Sequence, residues 1–227
     1  MLQHFFALLF PPKCVLCRKL LAKDETDLCH TCRIEAPEFQ KSKITFSFLA
    51  GWTAVWYYTD NARESMLRYK FRNNRSYADC YGRMLAMKLL REEQHQPDVL
   101  TWIPVSRARE RRRGYDQVEL IAQVVARELN LQLVRTLKKV RNTPPQSGLR
   151  EASARRANVL GAYVPVDPAL VRGKKVLLLD DIITTGATAS ECARVLLTAG
   201  AKEVFCGAVT VANHEQKEKN NIRNGYR

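Results

Sequence analysis

The sequence predicts an α/β fold in which helices cover both faces of a parallel sheet. Continuous apolar runs at 99–105, 175–180 and 203–211 are typical of buried strands. Around them, residues 117–129 and 188–199 place apolar side chains at helical spacing. Strands that are apolar throughout and alternate with helices occur in parallel sheets that are buried on both sides.

Further elements flank this alternation. Residues 52–59 are rich in aromatic and β-branched side chains, which predicts a strand. Residues 61–71 and 77–91 have apolar side chains at helical spacing, and residues 131–134 could form a short strand. Residues 135–160 are polar and basic and contain two adjacent prolines, so we expect a long loop or arm there.

Length and composition favour one medium-sized domain with a small appendage. The chain has 227 residues, of which 46% are apolar and 26% are charged, and these values are typical of globular proteins. We divide it into a cysteine-rich module (1–35), a linker (36–50), a main domain (51–212) and a polar C-terminal tail (213–227).

The chain is strongly basic, with 37 Lys and Arg against 23 Asp and Glu and a formal net charge of +14. An excess of this size favours an anionic partner, either a nucleic acid or a small polyphosphate. The charge alone does not choose between the two.

The sequence contains no segment that we expect to cross a membrane. The longest apolar candidate, residues 2–10, is interrupted by His4 and followed by two prolines, whereas a span needs about 20 apolar residues. It also lacks the basic start and the cleavage site of a signal peptide. We expect a short helix that packs on the protein or a partner, with attachment to a membrane surface as the alternative. The predicted location is the cytoplasm.

Four of the seven cysteines form two close pairs, Cys14 with Cys17 and Cys29 with Cys32. Thiols stay reduced in the cytoplasm, so this spacing favours a metal site over disulfides. Four thiolates leave no open position, which predicts a structural zinc ion. An iron site of the rubredoxin type is the alternative, and His30 could replace one ligand. We expect the other cysteines to pack as small apolar groups: Cys80, Cys192 and Cys206.

The strongest chemical signal follows the apolar run at 175–180, which ends in Asp180 and continues with Asp181. A small polar turn comes next: Thr184, Thr185, Gly186, Ala187 and Thr188. Backbone N–H groups and hydroxyls at a helix N-terminus form a phosphate site, and Gly186 would let the backbone approach the phosphate without a Cβ. The two acids suit the vicinal hydroxyls of a ribose or a magnesium-bound ligand. A helix without a ligand is the alternative, but one threonine would suffice for its cap.

A cluster of arginines follows the apolar run at 99–105. Ser106 comes first, and five arginines lie between Arg107 and Arg113. Because they follow the carboxyl end of a buried strand, we expect them in a loop at the same rim as the threonine-rich turn. Arginine binds phosphate oxygens bidentately. The loop is therefore a candidate phosphate-binding site, with a solvated basic turn as the alternative.

Residues 176–188 resemble the phosphoribosyl pyrophosphate signature of type I phosphoribosyltransferases: apolar residues, two acids, two variable positions and Thr-Thr-Gly-x-Thr. The resemblance implies a type I phosphoribosyltransferase-like domain that binds phosphoribosyl pyrophosphate with magnesium. It implies that Asp180 and Asp181 are the catalytic acids that hold the ribose hydroxyls, and that residues 184–188 wrap the 5-phosphate. Residues 106–113 resemble the pyrophosphate-contacting loop of the same fold. This resemblance and the family elements described next imply further substrate contacts: Lys70, Ser106, Arg107 and Arg113.

Other elements resemble the ComF family, which includes competence and gluconate-utilisation proteins. Lys70-Phe71 resembles its Lys-Phe/Tyr element, although Lys70 could instead be a surface lysine. Residues 113–117 resemble its Arg-Gly-Phe-Asn-Gln element, with Tyr and Asp as the two departures. Five residues carry its arm pattern: Thr143, Gln146, Leu149, Arg156 and Asn158. The family resemblance implies a role in the uptake of single-stranded DNA, with a competence helicase among the partners.

Two functional interpretations follow. In the first, the protein is a phosphoribosyltransferase, which passes the ribosyl group to an acceptor that the sequence does not identify. In the second, the domain is a non-catalytic module that binds a nucleotide or single-stranded DNA. Candidate stacking residues for the second are Trp52, Trp56, Trp102 and Tyr115, although aromatics in strands are more often core. Assembly into a homo-oligomer is left open.

Overall fold

A computed structural model describes residues 11–40, 42–92, 96–142 and 157–212. Three expectations fall on residues outside these ranges: the apolar N-terminal segment, most of the arm pattern and the polar C-terminal tail. They stay predictions.

A four-stranded parallel sheet forms the centre of the main domain. Its strands, in spatial order, are β1 (Gly51–Tyr57), β6 (Glu203–Val211), β5 (Lys175–Ile183) and β2 (Val99–Trp102). The β5–β6 register pairs Asp180 with Ala208 and brings the carboxyl ends of both strands to one edge. The predicted parallel sheet is therefore confirmed.

Helices cover both faces of this sheet, as predicted. The helices of the described residues, in chain order, are α1 (His30–Glu35), α2 (Asp60–Phe71), α3 (Tyr77–Leu90), α4 (Arg107–Arg113), α5 (Gln117–Leu129) and α6 (Ala187–Thr198), and those on the sheet are α2, α3, α5 and α6. Two short antiparallel strands, β3 (Leu137–Lys139) and β4 (Tyr163–Pro165), form a second sheet that is not hydrogen-bonded to the central one. Side chains of α2, α3 and α5 pack on one face with Leu177 and Leu179, whereas α6 and the β3–β4 pair pack on the other with Val176 and Leu178.

Two predictions about loops are wrong. The arginine-rich segment is not a loop but the helix α4, which Ser106 caps at its N-terminus and Gly114 ends with a φ of 78°. Strand β3 lies inside the segment that was predicted to be a loop from residue 135. Residues 131–134 do lie along the sheet edge, where Leu133 forms a single parallel bridge with Leu100.

The cysteine-rich module packs directly on the main domain. The carbonyl oxygen of Val15 accepts hydrogen bonds from Ser65 Oγ at 2.7 Å and Arg68 Nη2 at 3.0 Å. Arg83 makes two contacts with the carboxylate of Asp27, at 2.6 and 2.8 Å. Leu16 is buried in the same apolar core as the residues of α2 and α3. The module therefore shares its core with the main domain.

The segment predicted as a linker also packs on the sheet. The N–H of Phe39 donates to Val55 of β1 at 2.9 Å, and the N–H of Tyr57 donates to Pro37 at 2.7 Å. The ring of Phe39 is buried against Trp52 and Tyr57, with ring centroids 4.9 and 5.4 Å away. This segment thus covers one end of β1.

No helix among the described residues is long and apolar enough to cross a membrane. A cavity of about 440 Å³ lies at the amino ends of β5 and β6, with Leu89, Leu129 and Phe205 in its walls. It lies at the edge opposite the acids and the threonine-rich turn. Ligands of open α/β sheets bind at the carboxyl ends of the strands. The candidate functional site therefore lies at the acids and not at this cavity.

Candidate functional site

The turn between β5 and α6 forms a cradle for an anion. Thr184 and Thr185 lead from β5 to Gly186, the N-cap of α6. The first N–H groups of α6 have no acceptor one turn back and point towards the turn. The hydroxyl oxygen of Thr185 is buried and has no hydrogen-bond partner within the part of the chain that the structure describes. A buried hydroxyl without a partner at a helix N-terminus fits a bound phosphate.

The structure gives another reason for the glycine at position 186. Gly186 has a φ of 70°, which favours glycine, and the ring of Phe46 occupies the place that a Cβ would take. We had expected the missing Cβ to make room for phosphate, but the described neighbour on that side is an aromatic ring. Phe46 also packs on Trp52, with ring centroids 5.0 Å apart. The segment before β1 therefore helps to fix the shape of the turn.

The two acids at this edge lie in different surroundings. Successive residues of a strand point to opposite faces of the sheet. Asp181 is buried on the face of α2 and α5, where its oxygens accept from Lys70 Nζ at 2.8 Å and Gln117 Nε2 at 3.1 Å. Asp180 is half-buried, and its carboxylate accepts from the N–H of Asp181 at 2.8 Å. The two carboxylates are therefore not equivalent, although both lie beside the turn as predicted.

Electrostatics distinguish Asp180 further. Burial of its carboxyl group, together with the charge of Asp181, raises the pKa of Asp180 to about 8, against the opposing effects of Lys70 and Lys139. Burial lowers the pKa of Lys139 to about 8, and the charge of Arg109 acts in the same direction. A magnesium ion or a ribose hydroxyl at Asp180 would favour the ionised carboxylate.

Lys139 is a candidate site residue that the sequence analysis missed. It ends β3, its ammonium lies 5.1 Å from the ring centroid of Tyr163, and it is half-buried. Its charge acts on Asp180 across the fold. Its position just before the basic arm was the one feature of the sequence that could have indicated a role at the site. A lysine in a polar segment, however, does not differ visibly from its neighbours.

Lys70 lies at the site and is not a surface lysine. Its side chain is 18% exposed, and its ammonium pairs with Asp181. The pairing links α2 to β5 across 111 positions of the sequence. Arg113, at the end of α4, donates to Gln117, which in turn binds Asp181. Of the predicted contact residues, Lys70 thus contacts an acid directly, and Arg113 is linked to the same acid through Gln117.

The Arg-Gly-Tyr-Asp-Gln element makes the junction between α4 and α5. Gly114 ends α4, and Asp116 caps α5 by accepting from the N–H of Val118 at 2.9 Å. Asp116 also accepts from the N–H of Val105 at 3.0 Å, so it holds the segment after β2. This junction places Gln117 beside Asp181.

The arginines of α4 present a basic surface after the carboxyl end of β2. Arg107, Arg111 and Arg112 are exposed. The hydroxyl of Ser106 accepts from the N–H of Arg109 at 3.4 Å, so it is a helix cap in this structure. Contact of Ser106 and Arg107 with a substrate stays a prediction.

The four paired cysteines lie together. Their Sγ atoms are all within 4.8 Å of one another, and those of Cys17 and Cys29 are 3.6 Å apart. Tetrahedral zinc with Zn–S bonds of about 2.3 Å requires sulfur atoms about 3.8 Å apart, so the cluster fits a metal ion with small adjustments. Arg18 takes a φ of 68° and donates its N–H to Cys14, which closes the first cysteine turn. His30 is exposed and is not part of the cluster.

The other cysteines are buried and free, as expected of small apolar groups: Cys80, Cys192 and Cys206. Burial raises the pKa of each well above its usual value. They are therefore protonated and unreactive at neutral pH.

Comparison with known proteins gives a consistent result. The model of the phosphoribosyl transferase domain matches residues 119–225. Competence protein F of Haemophilus influenzae is 29% identical over 78% of this chain and 75% of its own length. Competence protein ComFC of Bacillus subtilis is 26% identical over 82% of this chain and 78% of its own length. DNA utilization protein YhgH of Escherichia coli strain K12 is 31% identical over 60% of this chain and 62% of its own length.

The chain belongs to the ComF family. Its main domain is therefore of the type I phosphoribosyltransferase kind, as the signature at 176–188 predicts. In this ComF protein the acids, the threonine turn, Lys70 and Arg113 come together at one edge of the sheet. Their individual roles toward a substrate stay predictions.

Replacing each acid by its amide should change stability in opposite directions. The pKa of Asp180 is raised on folding, so its contribution to stability is complete below about pH 4 and is lost as the pH rises through 8. Asp180→Asn should therefore stabilise the ligand-free protein at pH 7.5 by roughly 1–2 kcal/mol. Asp181→Asn should destabilise it by a similar amount or more, because Lys70 loses its buried partner.

Urea unfolding at pH 7.5 and at pH 4 measures both effects. The gain from Asp180→Asn should shrink at the lower pH, because Asp180 is protonated in the folded state and close to half protonated in the unfolded state, where its ordinary pKa is 3.8. A loss of stability in Asp180→Asn at pH 7.5 would contradict the assignment.

Proposed function

We propose that this ComF protein binds phosphoribosyl pyrophosphate with magnesium and transfers its ribosyl group. The observation that carries the proposal is the turn after β5, where the unpartnered hydroxyl of Thr185 and the N-terminus of α6 lie beside Asp180. A phosphate bound in the turn would place the attached ribose near the acids. Membership of a family with a phosphoribosyl transferase domain supports the same ligand.

In this proposal different residues at the sheet edge bind different parts of the substrate. Residues 184–188 bind the 5-phosphate, and Asp180 and Asp181 orient the ribose through its hydroxyls. The arginines of α4, with Arg107 first, bind the pyrophosphate. Magnesium, when bound, offsets the charge of the pyrophosphate oxygens.

Transfer requires the bond between C1 of the ribose and the pyrophosphate oxygen to break. A bond from C1 to the acceptor nucleophile forms, and pyrophosphate leaves with the electron pair. Arginines placed before the reaction stabilise the charge that develops on this leaving group, since fixed donors cost no reorganisation. In this proposal Lys139, whose charge acts on Asp180, is a further cation of the site.

Calorimetric titration with phosphoribosyl pyrophosphate and magnesium tests this proposal. Wild type should bind in the micromolar range, and Asp180→Asn should lower the affinity at least tenfold, because a charge-assisted hydrogen bond is lost. Asp98→Asn is the matched control, because Asp98 lies at the amino end of β2 and binds Lys175 instead. A folded wild type without measurable affinity would exclude the ribosyl transfer proposal.

We propose that the cysteine cluster holds a structural zinc ion. Four thiolates form a closed tetrahedral set, and no ligand position is left for a substrate. The cysteine-rich module has little apolar core of its own, so the ion would supply much of its stability. The docking contacts of Val15 and Asp27 would depend on it as well.

Metal analysis checks the zinc proposal. The purified protein should carry about one equivalent of zinc, Cys14→Ser should lose it, and Cys80→Ala should retain it because Cys80 lies outside the cluster. Removal of the metal by a chelator should lower the unfolding temperature of the wild type. Iron in the purified protein, with the absorption of a rubredoxin site, would instead support the alternative ion.

A second candidate function is binding of single-stranded DNA. The names of the relatives refer to competence and to DNA utilization, and one surface of this chain fits single-stranded DNA. Phe71 is 65% exposed, with the guanidinium of Arg113 5.5 Å from its ring centroid. Tyr115, two residues after Arg113 in the sequence, is half-buried, and the guanidinium of Arg75 lies 4.3 Å from its ring centroid. Exposed rings between arginines bind bases by stacking and the backbone by charge.

The surface differs from the residues first considered for stacking. Trp56 and Trp102 are buried in the core and are not accessible to a base. Trp52 is half-buried, and its indole N–H donates to Ile44 at 2.8 Å. Only Tyr115 from that set contributes, whereas Phe71 was not among them.

Fluorescence anisotropy with a labelled oligothymidine measures this function. Affinity should fall steeply with added salt, and Phe71→Ala should lower it about tenfold because one stacked base contributes about 1–3 kcal/mol. Leu90→Ala is the control, because Leu90 is equally exposed but lies at the opposite edge of the sheet. Equal losses in both variants would exclude Phe71 as a stacking residue.

Three further proposals rest on the resemblance and the composition. Seven free cysteines favour a reducing compartment such as the cytoplasm. A competence helicase as partner and a homo-oligomer remain predictions.

A further inference from the structure

We infer that Gln117 is a positioning residue that fixes Asp181 for ligand binding and links it to Arg113 of the arginine-rich helix. The inference deepens the proposed function and rests on it, because it concerns the same ribose site. Gln117 ends the Arg-Gly-Tyr-Asp-Gln element, and the family resemblance implies no role for it.

Gln117 lies between the two charged groups. It is 4% exposed, its amide nitrogen donates to Asp181 Oδ2 at 3.1 Å, and its amide oxygen accepts from Arg113 Nη1. The other oxygen of Asp181 accepts from Lys70 at 2.8 Å. Four side chains thus form a continuous chain from the end of α4 to the end of α2.

The backbone around Gln117 holds it in place. Its carbonyl oxygen accepts from the hydroxyl of Tyr69 at 2.6 Å, and Tyr69 is fully buried. The preceding residue, Asp116, caps α5, and its carboxylate accepts three hydrogen bonds from backbone N–H groups. Because the main chain is held on both sides, the direction of the Gln117 side chain is set before any ligand binds.

Only an amide fits this position. It offers a donor to a carboxylate and an acceptor to a guanidinium at the same time. An ionised glutamate would repel Asp181, and a lysine would repel Arg113. An alanine would leave the buried carboxylate of Asp181 and the half-buried guanidinium of Arg113 each without one partner.

The arrangement has a consequence for the ligand. Both oxygens of Asp181 already have donors, so its carboxylate cannot rotate, and a ribose hydroxyl must approach along the remaining lone pairs. Arg113 belongs to the helix that we assign to the pyrophosphate. A ligand that moves this arginine would change the hydrogen bonds of Asp181 through Gln117.

Binding of phosphoribosyl pyrophosphate with magnesium to two variants of Gln117 tests the inference. Gln117→Ala should lower the affinity about tenfold or more. Gln117→Glu should bind weakly at pH 8 and recover towards wild type as the pH falls to 5.5, because a protonated glutamate donates to Asp181 and an ionised one repels it. A purely structural residue would not give such a pH profile.

Gln123→Glu is the matched control, because Gln123 lies on the same helix and is exposed. It should show the pH dependence of the wild type. Absence of binding to wild type excludes the proposed ligand itself, whereas normal binding to Gln117→Ala excludes only the positioning role.

A second readout needs no ligand. The side-chain amide protons of Gln117 should exchange slowly with solvent in the NMR spectrum of the wild type and faster in Asp181→Asn. Rapid exchange in the wild type would show that the hydrogen bond to Asp181 does not persist, and would overturn the inference even if Gln117→Ala does not fold.

Discussion

A carboxylate buried at the end of a central strand sets the arrangement of this site. Asp181 cannot remain charged within the core without compensation, so a cation and an amide from two different helices meet it there. Lys70 lies in the last turn of α2, and Gln117 is the first residue of α5. The ion pair with Lys70 therefore fixes the geometry of the sheet edge as well as its charge.

Neighbouring acids with such different partners give the edge two kinds of carboxylate. Asp181 is compensated by the protein itself, whereas the environment of Asp180 opposes its charge. An uncompensated acid weakens the ligand-free fold and gains most from a bound cation or hydroxyl. Sites of this type commonly trade stability for function.

Much of the fold and part of the site follow from the sequence, because local patterns carry them. The strand that carries Asp180 and the threonine turn are contiguous, and each cysteine pair spans only four residues. The helix α4 was missed because a run of arginines shows no apolar periodicity, although Ser106 and Gly114 are ordinary helix boundaries. Tertiary packing brings Lys70 to Asp181 and sets the position of Lys139. A local sequence pattern does not predict contacts between such distant segments.

The cysteine-rich module contributes Leu16 and three of its cysteines to the same apolar core as Trp56 and Tyr81 of the main domain. Separating the two parts would expose apolar surface on each, so neither is an independent building block. Evolution can therefore exchange this module between proteins only together with the helices that cover it. A truncated gene that begins at the first strand would encode a protein with an open core.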